Sequence, residues 1–176
     1  MVSRNFLLVP ILALSESAKV LFANHSGDIA KVRRLWFSSL VIGSIIVVLW
    51  LVFLPFWGTV AGILNSNSGI VNLSTKAMTL LIIPYILLAL NLVTDSIFYG
   101  VGKTRYMAYQ AMITNGTVYV IAFIAYLTDT WTPTFTSIMV LFGIGILVDS
   151  ILTVYYALRV LFPKNQDLHL ASISLN

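Results

Sequence analysis

Four long stretches of apolar residues constrain the fold of this chain more than any other feature of its sequence. A bilayer core about 30 Å thick is crossed by about 20 residues of α-helix, and each of these stretches reaches that length. They run over residues 35–57, 77–99, 107–127 and 135–162. Only three charged residues interrupt them, namely Asp95, Asp149 and Arg159. The sequence therefore predicts an all-α polytopic membrane helical bundle.

A fifth apolar segment, residues 6–22, is shorter and contains Glu16 and Lys19. We interpret it as a partial first helix, or as a helix that faces protein rather than lipid. The prediction is therefore about five segments, four full spans plus a partial first helix. They form a single membrane-embedded helical domain over residues 1–162, and residues 163–176 form a short cytoplasmic tail.

The composition agrees with a chain that lipid surrounds. Of the 176 residues, 59% are hydrophobic and 9% are charged, whereas soluble domains contain about 25% charged residues. The chain has no cysteine, and its two histidines, His25 and His169, lie far apart. It therefore offers no disulfide framework and no spacing typical of a metal site. We find no nucleophile–base pair either, so we predict a protein that is not an enzyme and needs no cofactor.

The segment GVGKT at residues 100–104 has some likeness to a phosphate-binding loop. That motif requires a glycine at position 97, where this chain has Ile97. Instead, we predict that Gly100 and Gly102 end the preceding helix, because glycine is common just past a helix C-terminus. Lys103 and Arg105 would then face the anionic inner leaflet.

Basic residues alternate between the connections. Residues 23–34 and 100–105 contain Lys and Arg, whereas residues 58–75 and 128–134 contain none. By the positive-inside rule, the N-terminus lies outside and the C-terminus is cytoplasmic, with Arg4 as the exception. The net charge of +4 thus reflects topology. We expect an integral protein of a prokaryotic plasma membrane, in contact with membrane lipid and with no nucleic acid.

A secretory signal at residues 1–15 is the competing interpretation. MVSR would be its basic region, NFLLVPILAL its apolar region and ALS its cleavage site. This alternative would place the basic residues of 31–34 outside, and every later connection would then break the positive-inside pattern.

Polar groups inside the predicted spans are the candidate ion- or substrate-binding residues. A charge at the bilayer centre costs at least about 2.5 kcal/mol, so Glu16, Asp95 and Asp149 each suggest a function. Asn91 lies one turn before Asp95 on the same helix face. The remaining candidates, on the next helix, are Gln110, Thr114 and Asn115. Uncovered polar stripes would be costly in lipid, so we expect a homodimer or a second membrane bundle to cover them.

Structural roles remain open for the same residues. Interhelical hydrogen bonds between polar side chains stabilise membrane bundles by about 0.6 kcal/mol on average. Glu16 has the spacing to pair with Lys19. Asp95 has basic residues nearby, Lys103 and Arg105, and also lies near the end of its span.

Two segments resemble the multidrug and toxic compound extrusion (MATE) transporters. Residues 11–37, ILALSESAKVLFANHSGDIAKVRRLWF, resemble a helix followed by a Gly-Asp pair and a basic amphipathic linker. Residues 90–110, LNLVTDSIFYGVGKTRYMAYQ, resemble the fourth helix of a MATE lobe with its glycine-containing turn. The chain is thus similar to about the last five helices of one lobe.

The resemblance implies ion-coupled antiport, with H⁺ or Na⁺ driving export of drugs or other amphipathic organic cations. Some MATE proteins carry a coupling acid about three turns before the helix-ending glycine, where this chain has Leu90 and Asn91, and Asp95 lies one turn later. Related lipid-linked oligosaccharide flippases share the pattern. The alternatives are therefore a flippase-like protein of this superfamily or a truncated, non-transporting membrane subunit.

Overall fold

The computed structural model describes residues 2–163, with side chains from residue 8 onward. All regular structure in that part is helical, which confirms the predicted all-α bundle. The helices are α1 (Val2–Asn24), α2 (Ile29–Phe53), α3 (Trp57–Leu64), α4 (Ser68–Gly100), α5 (Arg105–Thr114), α6 (Val120–Leu127) and α7 (Phe135–Leu161). A 3₁₀ turn, Leu54–Phe56, joins α2 to α3, and a π-helix, Asn115–Tyr119, joins α5 to α6. The predicted cytoplasmic tail, residues 163–176, lies outside the described residues except for Pro163.

Four continuous helical segments are long and apolar enough to cross a membrane, as predicted. They are Ile29–Leu64, Ser68–Gly100, Arg105–Leu127 and Phe135–Leu161. The helix α1 is not among these four, although its 23 residues make it longer than the partial helix that we expected.

The helix α4 is the centre of the bundle, because it packs against α1, α2, α3 and α7. One apolar core lies where α1, α4 and α7 end and α2 begins. Its buried members are Ala18, Phe22, Val32, Ile97, Phe98, Ala157, Val160 and Leu161. A smaller core lies further along α1, α2 and α4, and consists of Ile11, Val47, Ala89 and Val93.

Basic residues collect at the end of the bundle that contains the larger core. These residues are Lys31, Arg33, Arg34, Lys103, Arg105 and Arg159. At the opposite end, α4 contains the exposed Lys76, just after the connection that we identified as free of basic residues. The unequal distribution agrees with the predicted orientation, which stays a prediction.

The turn between α4 and α5 ends the helix in the way that the sequence predicts. Gly102 has a left-handed backbone with φ of +69°. The Lys103 N–H donates to the Phe98 carbonyl at 2.8 Å, and the Gly102 N–H donates to the Tyr99 carbonyl at 3.2 Å. This pair of bonds is the Schellman motif, in which the left-handed position favours glycine. Gly100 is still helical and has a different role, considered below.

The first turn of α4 depends on Asn67. Its side-chain oxygen accepts hydrogen bonds from the N–H groups of Gly69 (2.9 Å) and Ile70 (3.3 Å). We expect Asn67→Ala to destabilise this turn by about 1 kcal/mol, because two backbone donors lose their partner. Hydrogen exchange of residues 68–71 in detergent measures the effect. Asn72→Ala, an exposed position on the same helix, is the control, and equal exchange in both variants would contradict the prediction.

Candidate functional site

Three helices bring polar side chains together on one buried hydroxyl group. The Thr153 Oγ1 of α7 donates to the Asp95 Oδ1 of α4 at 3.2 Å. It accepts a hydrogen bond from the Gln110 Nε2 of α5 at 3.1 Å. Thr153 is fully buried and Gln110 is 3% exposed, so these bonds form away from water and lipid. Asp95 of α4 and Gln110 of α5, two of the predicted candidates, therefore both face α7.

Asp149 supplies a second carboxyl group to the same region. It lies one helical turn before Thr153 and on the same face of α7. Because Thr153 contacts the Asp95 carboxyl, Asp149 lies on the α7 face that is turned toward Asp95. The single ion pair among the described side chains joins Glu16 to Lys19, so neither Asp95 nor Asp149 has a basic partner there. The alternative that Asp95 pairs with Lys103 or Arg105 is thus not what the structure shows.

A second polar bridge joins α4 to α7 one turn away. The Asn91 Nδ2 donates to the Ser150 Oγ at 2.8 Å, and the Ser150 Oγ donates to the Ile146 carbonyl at 2.6 Å. Asn91 is 4% exposed. We use the term acid cluster for the residues that share this interface, Asn91, Asp95, Gln110, Thr114, Asp149, Ser150 and Thr153.

Thr114 differs from the other members of the acid cluster. It lies one turn after Gln110 on the same face of α5 and is 8% exposed. Its hydroxyl group is buried and has no hydrogen-bond partner within the described part of the chain. A buried polar atom without a partner costs about 1–3 kcal/mol. Such an atom is typical of a position where a bound water or ion supplies the missing hydrogen bond.

Two predicted site residues lie apart from the acid cluster. Glu16 is exposed on α1, where its carboxylate accepts a hydrogen bond from the Lys19 Nζ at 2.6 Å. The same ammonium group lies 4.5 Å from the centre of the Tyr99 ring. Asn115, the first residue of the π-helix, is exposed too. The structure does not bring either residue to Asp95 or Asp149.

Tyr119 is a residue of this region that the sequence did not indicate. It ends the π-helix, and its hydroxyl and ring lie directly against Gly145 of α7. Gly145 precedes Asp149 by one turn, so Tyr119 lies against the α7 face that contains Asp149. The sequence shows only that Tyr119 lies midway along an apolar span, and many aromatic core residues share that position.

An apolar cavity of about 460 Å³ lies next to a close contact between Pro84 of α4 and Gly143 of α7. Along both helices, this contact lies between most of the cavity lining and the acid cluster. The cavity is lined by α2, α3, the first halves of α4 and α7, and Leu8 of α1. Five of its lining residues are aromatic, Trp50, Trp57, Tyr85, Phe135 and Phe142. None of the described lining residues is charged, and the hydroxyl of Ser74 accepts a hydrogen bond from the Trp57 Nε1 at 3.2 Å.

Metal ligands are not grouped in the described part of the chain, which has no set of three His, Cys, Asp or Glu side chains able to hold a metal ion. The acid cluster instead mixes two carboxylates with hydroxyl and amide groups on three helices. Comparisons of this chain with models of protein families, with curated proteins and with solved structures gave no match.

Proposed function

We propose that this chain is one lobe, or part of one lobe, of an ion-coupled membrane transporter of the MATE type. In this proposal, H⁺ or Na⁺ binds at the acid cluster and drives the export of drugs or other amphipathic organic cations. The membrane lipid surrounds the bundle, and no nucleic acid takes part.

The observation that carries the proposal is the pair of carboxyl groups, Asp95 and Asp149, which have no basic partner among the described side chains. Neutral side chains such as Thr153 and Gln110 would suffice to hold α4, α5 and α7 together. Two neighbouring carboxylates repel each other when both are charged, and removal from water opposes their charge further. Binding of a proton or a cation relieves both effects, so the pair is suited to load and release a coupling ion.

The apolar cavity supports the substrate class. Its volume of about 460 Å³ falls within the range of about 300–1,000 Å³ typical of small-molecule pockets. Aromatic rings attract organic cations through their negative faces, and several rings line this cavity. An amphipathic cation would therefore find both apolar contact and electrostatic attraction there.

The exposed surfaces support a second half. In the most apolar windows of Ile29–Leu64 and Arg105–Leu127, 17% of residues are buried in this chain. The Glu16 carboxylate is exposed and Lys19 is half-buried, although Glu16 lies eight residues, or about 12 Å, before the end of α1 at Asn24. A charged pair at that depth is costly against lipid. We propose that a second half-transporter or a second copy of the chain covers this face.

Transport by the reconstituted protein tests the proposal. We expect Asp149→Asn and Asp95→Asn each to reduce counterflow of an organic cation against a pH or Na⁺ gradient by about tenfold or more, because the amide cannot carry the coupling charge. Asp129→Asn is the matched control, since Asp129 is exposed in the loop before α7 and its left-handed backbone also suits asparagine. Unchanged counterflow in both cluster variants would remove these acids from the mechanism.

Ion binding to the detergent-solubilised protein gives a readout that needs no second lobe. Isothermal titration with Na⁺, and proton uptake measured on a pH step, should both weaken in the cluster variants and stay unchanged in Asp129→Asn. Identical binding in all three variants would contradict the proposal.

A lipid-linked oligosaccharide flippase is the second candidate, favoured by the uncharged, largely apolar character of the described cavity lining. This function predicts movement of a labelled lipid-linked sugar between leaflets in the same proteoliposomes. Such movement without cation counterflow would favour the flippase.

A further inference from the structure

Resting on the proposed role of the acid cluster, we infer that Tyr119 is a gate between this cluster and a cleft that runs to the α6–α7 loop. The coupling ion then reaches Asp149 from that end of the bundle when the Tyr119 ring moves away from Gly145.

The cleft is a shallow surface groove of about 290 Å³ between α6 and α7. Its outer end is formed by Trp131 and Pro133, in the loop that joins the two helices. Ala122 and Phe123 line its middle, and Tyr119 is the lining residue nearest the acid cluster along the chain.

A single face of α7 continues from the cleft to the carboxylates. Ile138 and Leu141 line the cleft, and Gly145, Asp149 and Thr153 follow at successive intervals of four residues. Residues at intervals of three or four lie above one another on a helix. Gly145 therefore lies between the cleft and Asp149 on this face.

The Tyr119 side chain packs against α7 at Gly145. A Cβ atom built on Gly145 would overlap the Tyr119 hydroxyl and would lie 2.9 Å from the ring Cζ. Because glycine has no side chain, the ring lies directly on the α7 backbone, at the end of the cleft nearest the acid cluster. Tyr119 is half-buried, so part of its side chain is not packed against the protein.

The π-helix provides a means for that movement. The Val120 N–H donates to the Asn115 carbonyl, five residues earlier, in place of the usual four. Short π-helical segments contain one extra residue and occur frequently at functional sites. Conversion of Asn115–Tyr119 to an α-helix would shift the register by one residue and rotate Tyr119 by about 100° around the helix axis.

Cysteine accessibility tests the gate, and the native chain has no cysteine that would interfere. Single variants place a thiol in the cleft, Ala122→Cys, or beyond the ring, Thr114→Cys. Proteoliposomes of known orientation are treated on each side with a small, cationic, membrane-impermeant methanethiosulfonate. We expect Ala122→Cys to react from the side of the α6–α7 loop and Thr114→Cys to react at least about tenfold more slowly, because reaction requires access to the thiol.

Removal of the ring should open the route. We expect Tyr119→Ala to accelerate the reaction of Thr114→Cys from the loop side by about tenfold, whereas Tyr119→Phe keeps the ring and leaves the rate low. Gly145→Ala, which displaces the ring from α7, should accelerate the reaction as well. Phe123→Ala is the matched control, since it removes a ring from the same cleft one turn away and should not change the rate.

Equal Thr114→Cys rates with and without the Tyr119 ring would overturn the gate, as would failure of Ala122→Cys to react from the loop side. Size-exclusion profiles confirm that each variant is folded. Labelling needs no transport, so its outcome is independent of the counterflow assay. Unchanged counterflow in the Asp95 and Asp149 variants would refute the proposed function and leave the gate result standing.

Discussion

Valine in place of Gly100 is expected to lower the thermal midpoint of the detergent-solubilised protein by about 6–12 °C, which corresponds to a loss of about 3 kcal/mol. A Cβ atom at position 100 would overlap the Phe22 side chain and lie 2.9 Å from the Lys19 carbonyl oxygen and 3.0 Å from the Ala23 nitrogen. Two of these neighbours are α1 backbone atoms, so α1 must move away from α4. Phe22 is fully buried in the larger core, and the movement would disrupt that core.

Gly62→Val is the control for this prediction. Gly62 is also helical, in α3, and a Cβ atom built there meets no atom within 4 Å. It measures the general cost of a β-branched residue in place of glycine. If both variants melt at the same temperature, the close contact between α1 and α4 is not what requires glycine at position 100.

Thr153→Val should have the second largest effect on stability, a loss of about 1–2 kcal/mol and a fall of about 2–8 °C in the thermal midpoint. Valine keeps the shape of threonine and removes its hydroxyl group. The Gln110 amide and the Asp95 carboxyl then both lose a partner at a fully buried position. The expected loss exceeds the average interhelical hydrogen bond in a membrane, about 0.6 kcal/mol, because two groups are left without a partner.

Thr79→Val separates the hydrogen bonds from the change in residue type. The Thr79 hydroxyl is exposed and donates only to the Thr75 carbonyl of its own helix, at 3.0 Å. We expect no measurable change in its thermal midpoint. A fall as large as that of Thr153→Val would mean that the bonds to Gln110 and Asp95 contribute little.

The sequence predicts the fold well because hydropathy alone identifies helices that cross a bilayer. Helix ends are less accurate, as α4 shows. The apolar pattern placed its start at residue 77, whereas the helix begins at Ser68 because Asn67 caps it. The two intervening turns contain polar residues, which hydropathy does not distinguish from a loop.

The role of Gly100 was identified incompletely for a different reason. A glycine near a helix end predicts a change of backbone direction, and Gly102 provides it. Close approach of two helices also favours glycine. Only the tertiary structure shows whether a glycine ends a helix or allows a neighbouring helix to approach.

Residue type and depth were enough to select much of the acid cluster, including Asn91, Asp95, Gln110, Thr114 and Asp149. They did not separate these residues from Glu16 or Asn115, because the direction of each helix face depends on its neighbours. Tyr119 could not be selected at all. Its position follows from a π-helix in the segment NGTVY, and no local propensity predicts bonds between residues five apart.

The length of the central hairpin has a consequence for the surrounding bilayer. Ile29–Leu64 contains 36 residues and Ser68–Gly100 contains 33, or about 54 Å and 50 Å at 1.5 Å per residue. Both exceed a hydrocarbon thickness of about 30 Å. The excess lies near the turn between them, where Ile63, Leu64, Ile70 and Leu73 are exposed and apolar. Tilting of the hairpin or local thickening of the bilayer would bury these side chains, and such hydrophobic mismatch favours membranes of greater thickness.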